Sequence, residues 1–451
     1  MKIVKRLRAM MGNRDNATVF WNIVGSVGIK GASMILNVCL LPAYMSYFSD
    51  QTVLGVWVTL VAAVTWILTF DLGVGNGLRN RLAVALVKRD LAAAKELISS
   101  AYVIIGALVV LFCVGGVLVA RFLNWNSVLS VSPMLLSLTV LLRAVVVLLL
   151  AVLLNFWLKL VFSILYAMQQ NAIPNLLSLI SNVLILGFLL MNQGSTASVK
   201  LVNLALFYFG AINFPILLAT VILFGTRLRE ARPNPAYWRK ERAWDVLAFG
   251  SQFLFIQLSL MIINMTNEII ITRLLGPEKT VVYQVYYRIF YFVVTLFSIV
   301  TNPVWSAITK AHALQDLQRI RRLSRWLFAG AGLLSVLCLA IVPVFAWLQG
   351  VWLGIHAIQA STVDAMLFAL FSTVMMFVLA ESCVANGIGM IKLQMISFAV
   401  AAVVKVPLSL YAIHIYKYWI SIVAANTVVL LPYVILQPFV LRRQLREPAA
   451  A

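Results

Sequence analysis

TFDLGVGNGLRNRL, residues 69–82, closes an apolar run with an acid, spaces glycines at 73, 75 and 77, and ends on Arg79 and Arg81. A nucleotide fingerprint here would make the chain a soluble α/β protein. That fingerprint needs a preceding strand and the spacing GxGxxG, whereas this stretch follows a long apolar segment with the spacing GxGxG. The residues fit a membrane exit instead. The glycines end a span and turn the chain into an interfacial helix. Asp71 is expected to pair with Arg79 or Arg81, or to cap the next helix.

The surrounding composition supports that choice. Of 451 residues, 63% are hydrophobic and 11% charged, where a soluble domain carries roughly 25% charged residues. Apolar runs recur at the length, about 20 residues, that spans a bilayer core as helix. The alternation of an outer-membrane barrel strand is missing. The expected spans are 19–45, 53–70, 97–120, 144–166, 173–191, 201–225, 246–272, 281–305, 326–348, 363–385, 395–416 and 419–441. The fold class is therefore an all-α membrane protein of about 12 helices.

The net charge of +21 could suggest nucleic acid, but its distribution is topological. With the N-terminus inside, the cytoplasmic segments hold 25 of the 35 Lys and Arg residues, and the opposite side holds 6. This positive-inside split places both termini in the cytoplasm and makes nucleic acid an unexpected partner. The first apolar run is too long for a cleaved signal peptide. The four cysteines lie within spans in no metal-like spacing, and the three histidines are scattered. No metal and no cofactor is expected.

Two loops echo each other. LAVALVKRDLAAAKEL, 82–97, and ITKAHALQDLQRIRRL, 308–323, align Asp90-Leu91 on Asp316-Leu317, 226 residues apart. Both are basic amphipathic stretches suited to an anionic inner leaflet, so anionic membrane lipids are expected partners. The chain divides into an N-lobe, 1–227, a cytoplasmic linker, 228–245, and a C-lobe, 246–451. Two pseudo-symmetric six-helix lobes around a central cavity are a transporter signature, with cargo held near the bilayer midplane.

Four cations sit inside spans: Lys30, Lys159, Arg288 and Lys405. Each costs roughly 2.5–3.5 kcal/mol if it faces lipid at the bilayer centre. Three of them lie on a polar helical stripe: Asn22, Ser26, Lys30, Ser33 and Asn37 in the first span, Asn155, Lys159 and Ser163 in the fourth, Gln284 to Asn302 through Arg288 in the eighth. Lys405 precedes Pro407, which invites a local break. Such stripes serve as interhelical glue or line a wet cavity, and those centred on a cation point to the cavity. Against the four cations stand two acids, Glu268 and Glu381. The excess attracts an anionic cargo. The acids are candidates for ion or proton coupling, and Glu268 could equally be a static partner of Arg273. Arg79 and Arg81, with Asp71, would meet the cargo at the cytoplasmic mouth.

The N-terminal stretch FWNIVGSVGIKGASMILNVCLLPAYMSYF and the segment GVWVTLVAAVTWILTFDLGVGNGLRNRLA resemble Wzx-type polysaccharide and O-antigen repeat-unit flippases. These belong to the multidrug/oligosaccharidyl-lipid/polysaccharide (MOP) exporter superfamily. The distinctive match is Gly55 and Trp57 followed by Asp71-Leu-Gly-Val-Gly-Asn-Gly-Leu-Arg-Asn80. The resemblance implies a monomer in the bacterial inner membrane. Its activity would be movement of an undecaprenyl-pyrophosphate-linked oligosaccharide from the cytoplasmic to the periplasmic leaflet by alternating access. It further implies a cavity lined by cations, for which Lys30, Lys159, Arg288 and Lys405 stand in position. A polysaccharide polymerase and chain-length proteins would be possible partners. A cation-drug exporter of the same superfamily would want an acidic cavity. A membrane polymerase or ligase would want catalytic groups on an outer loop, yet the longest outer segment, 121–143, has no acid and no histidine. A purely structural scaffold would have no use for four intramembrane cations.

Overall fold

The computed structural model describes residues 25–446, apart from 26–27, 34–35, 37–38, 41, 49, 70–72, 130, 192–195 and 354–357. Among the described residues all regular structure is helical, as a backbone that must satisfy its own hydrogen bonds in hydrocarbon requires. Residues 28–33 and 42–47 are helical. Then follow α1 (Gln51–Thr69), α2 (Val74–Val87), α3 (Leu91–Phe122), α4 (Trp125–Val128), α5 (Leu138–Leu158), α6 (Leu160–Ala167), α7 (Ala172–Met191) and α8 (Ala197–Gly225). After a 3-10 turn at Pro235–Tyr237 come α9 (Lys240–Leu275), α10 (Pro277–Ala313), α11 (Leu317–Leu353), α12 (Thr362–Ile388), α13 (Lys392–Tyr416) and α14 (Ile420–Arg446).

Ten helical segments among the described residues are long and apolar enough to cross a membrane, with α5 and α6 counted as one. Ten of the twelve expected spans fall on them. The other two, 19–45 and 53–70, lie partly outside the described residues. Two compact units divide the chain, one up to Ser251 and one from Gln252.

The helices overrun the expected spans. α10 and α11 have 37 residues each, or about 55 Å at 1.5 Å per residue, against about 30 Å of hydrocarbon. The basic stretches around Asp90 and Asp316 are helix ends joined by tight turns. The two turns are built alike. Arg89 has φ 57 and Gln315 has φ 56. Asp90 N donates to Ala85 O at 3.0 Å and Arg89 N to Leu86 O at 3.2 Å. In the second copy Asp316 N donates to Ala311 O at 2.9 Å and Gln315 N to His312 O at 3.0 Å. This paired pattern around a left-handed residue is the Schellman motif, which pairs carbonyls that a helix end leaves open. Each aspartate then caps the following helix, Asp90 Oδ1 accepting from Ala93 N and Asp316 Oδ1 from Arg319 N, both at 2.9 Å. The register read from the sequence is the register of the structure: the same 226-residue step carries Gln51 to Pro277, Val87 to Ala313 and Leu91 to Leu317. Two further turns use the motif, at Gln169 (φ 61) and Gly389 (φ 79).

The interfacial helix expected after residue 73 is instead a packed one. α2 buries nine of its fourteen residues, among them Leu78, Arg79 and Leu82, against α3 and α6. The glycines explain it. Gly73, with φ 71, starts the helix. A Cβ on Gly77 would lie 2.5 Å from the Val246 carbonyl oxygen, and one on Gly250 would lie 2.9 Å from the Gly73 carbonyl. Only a bare backbone lets α2 and the start of α9 approach this closely.

The linker is docked rather than free. Leu228 and Ala231 are buried. Asn234 N donates to Ser99 Oγ at 3.0 Å and Arg239 N to Ser100 Oγ at 3.2 Å. Glu96 faces Arg242 at 3.2 Å and Arg239 at 3.6 Å, and Lys95 lies 3.8 Å over the Tyr237 ring. These contacts hold residues 228–242 to the first turns of α3, and the boundary between units falls after the linker, inside α9.

Replacing Gly77 or Gly250 by alanine is expected to destabilise the N-terminal unit by about 1–3 kcal/mol through overpacking. Gly55→Ala, where an added Cβ meets nothing within 4 Å, should leave the melting temperature of detergent-solubilised protein unchanged. Equal melting of all three variants would contradict the close crossing.

Candidate functional site

The four intramembrane cations occupy three kinds of environment. Lys30 is exposed on the first helix, and Arg288 is exposed on α10. Neither forms an ion pair with a described residue. Lys159 is half-buried at the junction of α5 and α6, where it ends one helix and starts the next. Lys405 is fully buried on α13, and its Nζ donates to Thr266 Oγ1 of α9. Lys405 thus lies inside the C-terminal unit, with a hydroxyl and no acid as its partner.

The break expected at Pro407 does not occur, since α13 runs through that proline to Tyr416. The break lies instead at Lys159, where no proline or glycine marks it. There Lys159 N still reaches Asn155 O at 2.8 Å, and Phe162 N reaches Lys159 O at 2.9 Å, so the junction is a tightened turn rather than an open gap.

The polar stripes divide. Asn155 is 2% exposed and donates through Nδ2 to Ile212 O at 3.0 Å and Asn213 Oδ1 at 3.2 Å. Asn213 Nδ2 answers by donating to Ala151 O at 3.1 Å. These two amides clasp α5 to α8, so the stripe member next to Lys159 acts as interhelical glue. On α10, Thr295 Oγ1 donates to Tyr291 O and Ser298 Oγ to Thr295 O. Those hydroxyls are satisfied within their own helix. In the first span only Lys30 and Ser33 of the stripe are described, Ser33 being buried; Asn22, Ser26 and Asn37 lie outside the described residues.

One polar group on α9 and α10 does converge. Glu268 is exposed and accepts from Gln284 Nε2. Gln284 lies one turn before Arg288 on the same helical face. Glu268 makes no ion pair with Arg273 or any other described cation. Tyr283, Tyr287 and Tyr291 stack along α10 with ring centroids 5.6 and 4.6 Å apart, and Asn267 Nδ2 donates to Tyr283 Oη at 3.1 Å. Tyr287, Tyr283 and Asn267 are additions to the expected residue set. The tyrosines were legible as a four-residue spacing in VYQVYYRIFY.

Glu381 stands apart from that group. It is 1% exposed on α12, and its Oε2 has no hydrogen-bond partner. It lines a cavity of about 710 Å³ bordered by α11, α12 and α14.

The residues of the opening stretch separate as well. Asp71 lies outside the described residues. Arg79 is 2% exposed with its guanidinium 4.9 Å over the Tyr166 ring, so it is enclosed in the N-terminal unit. Arg81 is exposed, 5.7 Å over the Phe249 ring, and is the one of the pair open to a ligand. Trp57, of the Gly55-x-Trp57 match, is fully buried among Tyr44, Phe48 and Tyr208; it packs the core.

No protein-family model and no curated protein sequence matches the chain. Solved structures do match its fold. A MATE structure in the straight conformation superposes with TM-score 0.75 at 15% identity, covering 97% of this chain and 98% of that one. A MOP superfamily transporter from Pyrococcus furiosus, described as having a binding pocket of reverse polarity that suggests a different function, gives the same score, identity and coverage. The Vibrio cholerae MATE transporter VcmN in its bent form gives TM-score 0.70 at 14% identity over 95% of this chain and 97% of that one. The chain has the fold of MATE transporters of the MOP superfamily, a multi-pass helical membrane fold.

Asn155→Ala and Asn213→Ala should each lower stability by about 1 kcal/mol. Because the amides share their bonds, the double variant should lose little more than either single one. Strictly additive losses in chemical unfolding would contradict the clasp.

Proposed function

We propose that this chain is a transporter that moves a polyprenyl-pyrophosphate-linked oligosaccharide from the cytoplasmic to the periplasmic leaflet. The observation that carries this reading is the unbalanced intramembrane charge. Lys30, Arg288 and Lys405 have no acidic partner among the described residues, and Lys30 and Arg288 are exposed. Cations kept at membrane depth without acids favour an anionic cargo. The fold shared with transporters and the resemblance of residues 20–83 to Wzx-type flippases support the same conclusion. The Pyrococcus furiosus transporter, with its pocket of reverse polarity, offers a parallel for one fold serving cargo of different charge.

In this mechanism Lys30, Lys159 and Arg288 each offer a charge that replaces water around the pyrophosphate. The polyprenyl tail stays in lipid, and the halves alternate between inward and outward states. Arg81 meets the headgroup first. The face of α10 that carries Gln284, Arg288 and Tyr291 offers hydrogen bonds and ring surface to sugars. Glu268, bonded to Gln284, is the acid placed to couple a proton or ion to cargo release. Lys405, enclosed with Thr266, would position α9 against α13 and add positive potential. Export of lipophilic cations is the second reading, favoured by the likeness to MATE structures.

Cells lacking the chain should accumulate lipid-linked glycan on the cytoplasmic leaflet. Complementation by Lys30→Ala or Arg288→Ala should restore translocation at least about tenfold less well than wild type, the equivalent of losing one charge-assisted hydrogen bond, while Lys30→Arg should retain it. Wild-type rates in both alanine variants would remove the electrostatic reading. Normal glycan export together with lost resistance to cationic dyes would select the second reading.

A further inference from the structure

We infer that the cavity between α11, α12 and α14 is a binding site for a phosphate-bearing membrane amphiphile, separate from the cargo path. Its residues all belong to the C-terminal unit. The volume of about 710 Å³ suits a headgroup with part of one chain, within the usual range of about 300–1,000 Å³ for small-molecule sites.

Three features define the ligand. Arg321 and Arg325, near the start of α11, and Arg442, near the end of α14, line the cavity from exposed positions. Three guanidinium groups at one opening are donors matched to phosphate oxygens. The walls are apolar, with Phe328, Phe377, Val384 and Val434 among them, so the ligand also carries a hydrocarbon part. Glu381 lines the same space, almost fully buried, with Oε2 unpartnered. A buried carboxyl oxygen without a donor is costly. A ligand hydroxyl or ammonium group would supply that donor.

A second orphan lies alongside. Gln437 is 0% exposed with neither amide atom hydrogen-bonded, and it shares the helical face of Val434, Pro438 and Leu441, which line the cavity. The two unsatisfied polar side chains and the arginines together describe an amphiphile with an anionic group, a hydrogen-bond donor and a chain. A phospholipid with a hydroxylated or amine headgroup has all three. A free phosphate would use the arginines and leave the apolar walls and Glu381 unmet.

The full chain in detergent would be titrated with short-chain phosphatidylglycerol, with the matching neutral diacylglycerol and with inorganic phosphate, and bound molecules counted by native mass spectrometry. Phosphatidylglycerol should bind one per chain. It should bind at least about tenfold tighter than either control. The double substitution Arg325→Ala with Arg442→Ala, at exposed positions, should weaken it about tenfold without changing the melting temperature. Val434→Trp should block it, and Glu381→Gln should weaken the lipid but not inorganic phosphate. Equal binding of the diacylglycerol would remove the role of the arginines. Equal binding of inorganic phosphate would reduce the site to a surface anion site. Unchanged affinity in the arginine double variant would overturn the proposal even if the Glu381 variant failed to fold.

Discussion

A peptide carbonyl without a donor costs several kcal/mol in hydrocarbon, and a helix leaves four of them open at its C-terminal end. This chain reverses direction many times, so it meets that cost at every turn. At four turns it closes the helix with the same pair of backbone bonds around a left-handed residue: Arg89, Gln169, Gln315 and Gly389. The first and third of these also share an aspartate cap. The hairpins of α2 with α3 and of α10 with α11 close on those two turns. Their equivalence, 226 residues apart, is the clearest structural trace of a duplicated architecture.

Much of this was legible in the residues. Apolar length alone located the spans, because hydrocarbon thickness sets the number of helical residues. Asp90-Leu91 and Asp316-Leu317 fixed the repeat, since an aspartate that caps the helix after it is a local requirement. What escaped was tertiary. α2 reads as amphipathic because Arg79 and Arg81 lie in it, yet its burial comes from a close crossing permitted by Gly77 on one helix and Gly250 on another. No window of sequence holds both residues. The continuity of α13 through Pro407 and the turn at Lys159 likewise run against the local signals of proline and its absence.

The candidate site was legible in part. Counting charges against apolar spans picks out every cation that must be accommodated, but not how. Lys30 and Arg288 are exposed, and Lys405 is enclosed against a threonine. A polar stripe shows direction without showing commitment. Asn155 faces as Lys159 does, yet spends its amide on α8, and the hydroxyls of Thr295 and Ser298 fold back on their own helix. The aromatic ladder beside Arg288 is a feature that a search for charge passes over.

The left-handed residues carry one more implication. A non-glycine side chain held at positive φ costs on the order of 1 kcal/mol or more, and three of these four turns bear that strain on arginine or glutamine. Gly389 shows that the relaxed solution fits the same backbone path. Where Arg89 and Gln315 stand, both exposed, the polypeptide gives up that conformational ease and keeps a long polar side chain at the corner between two helices.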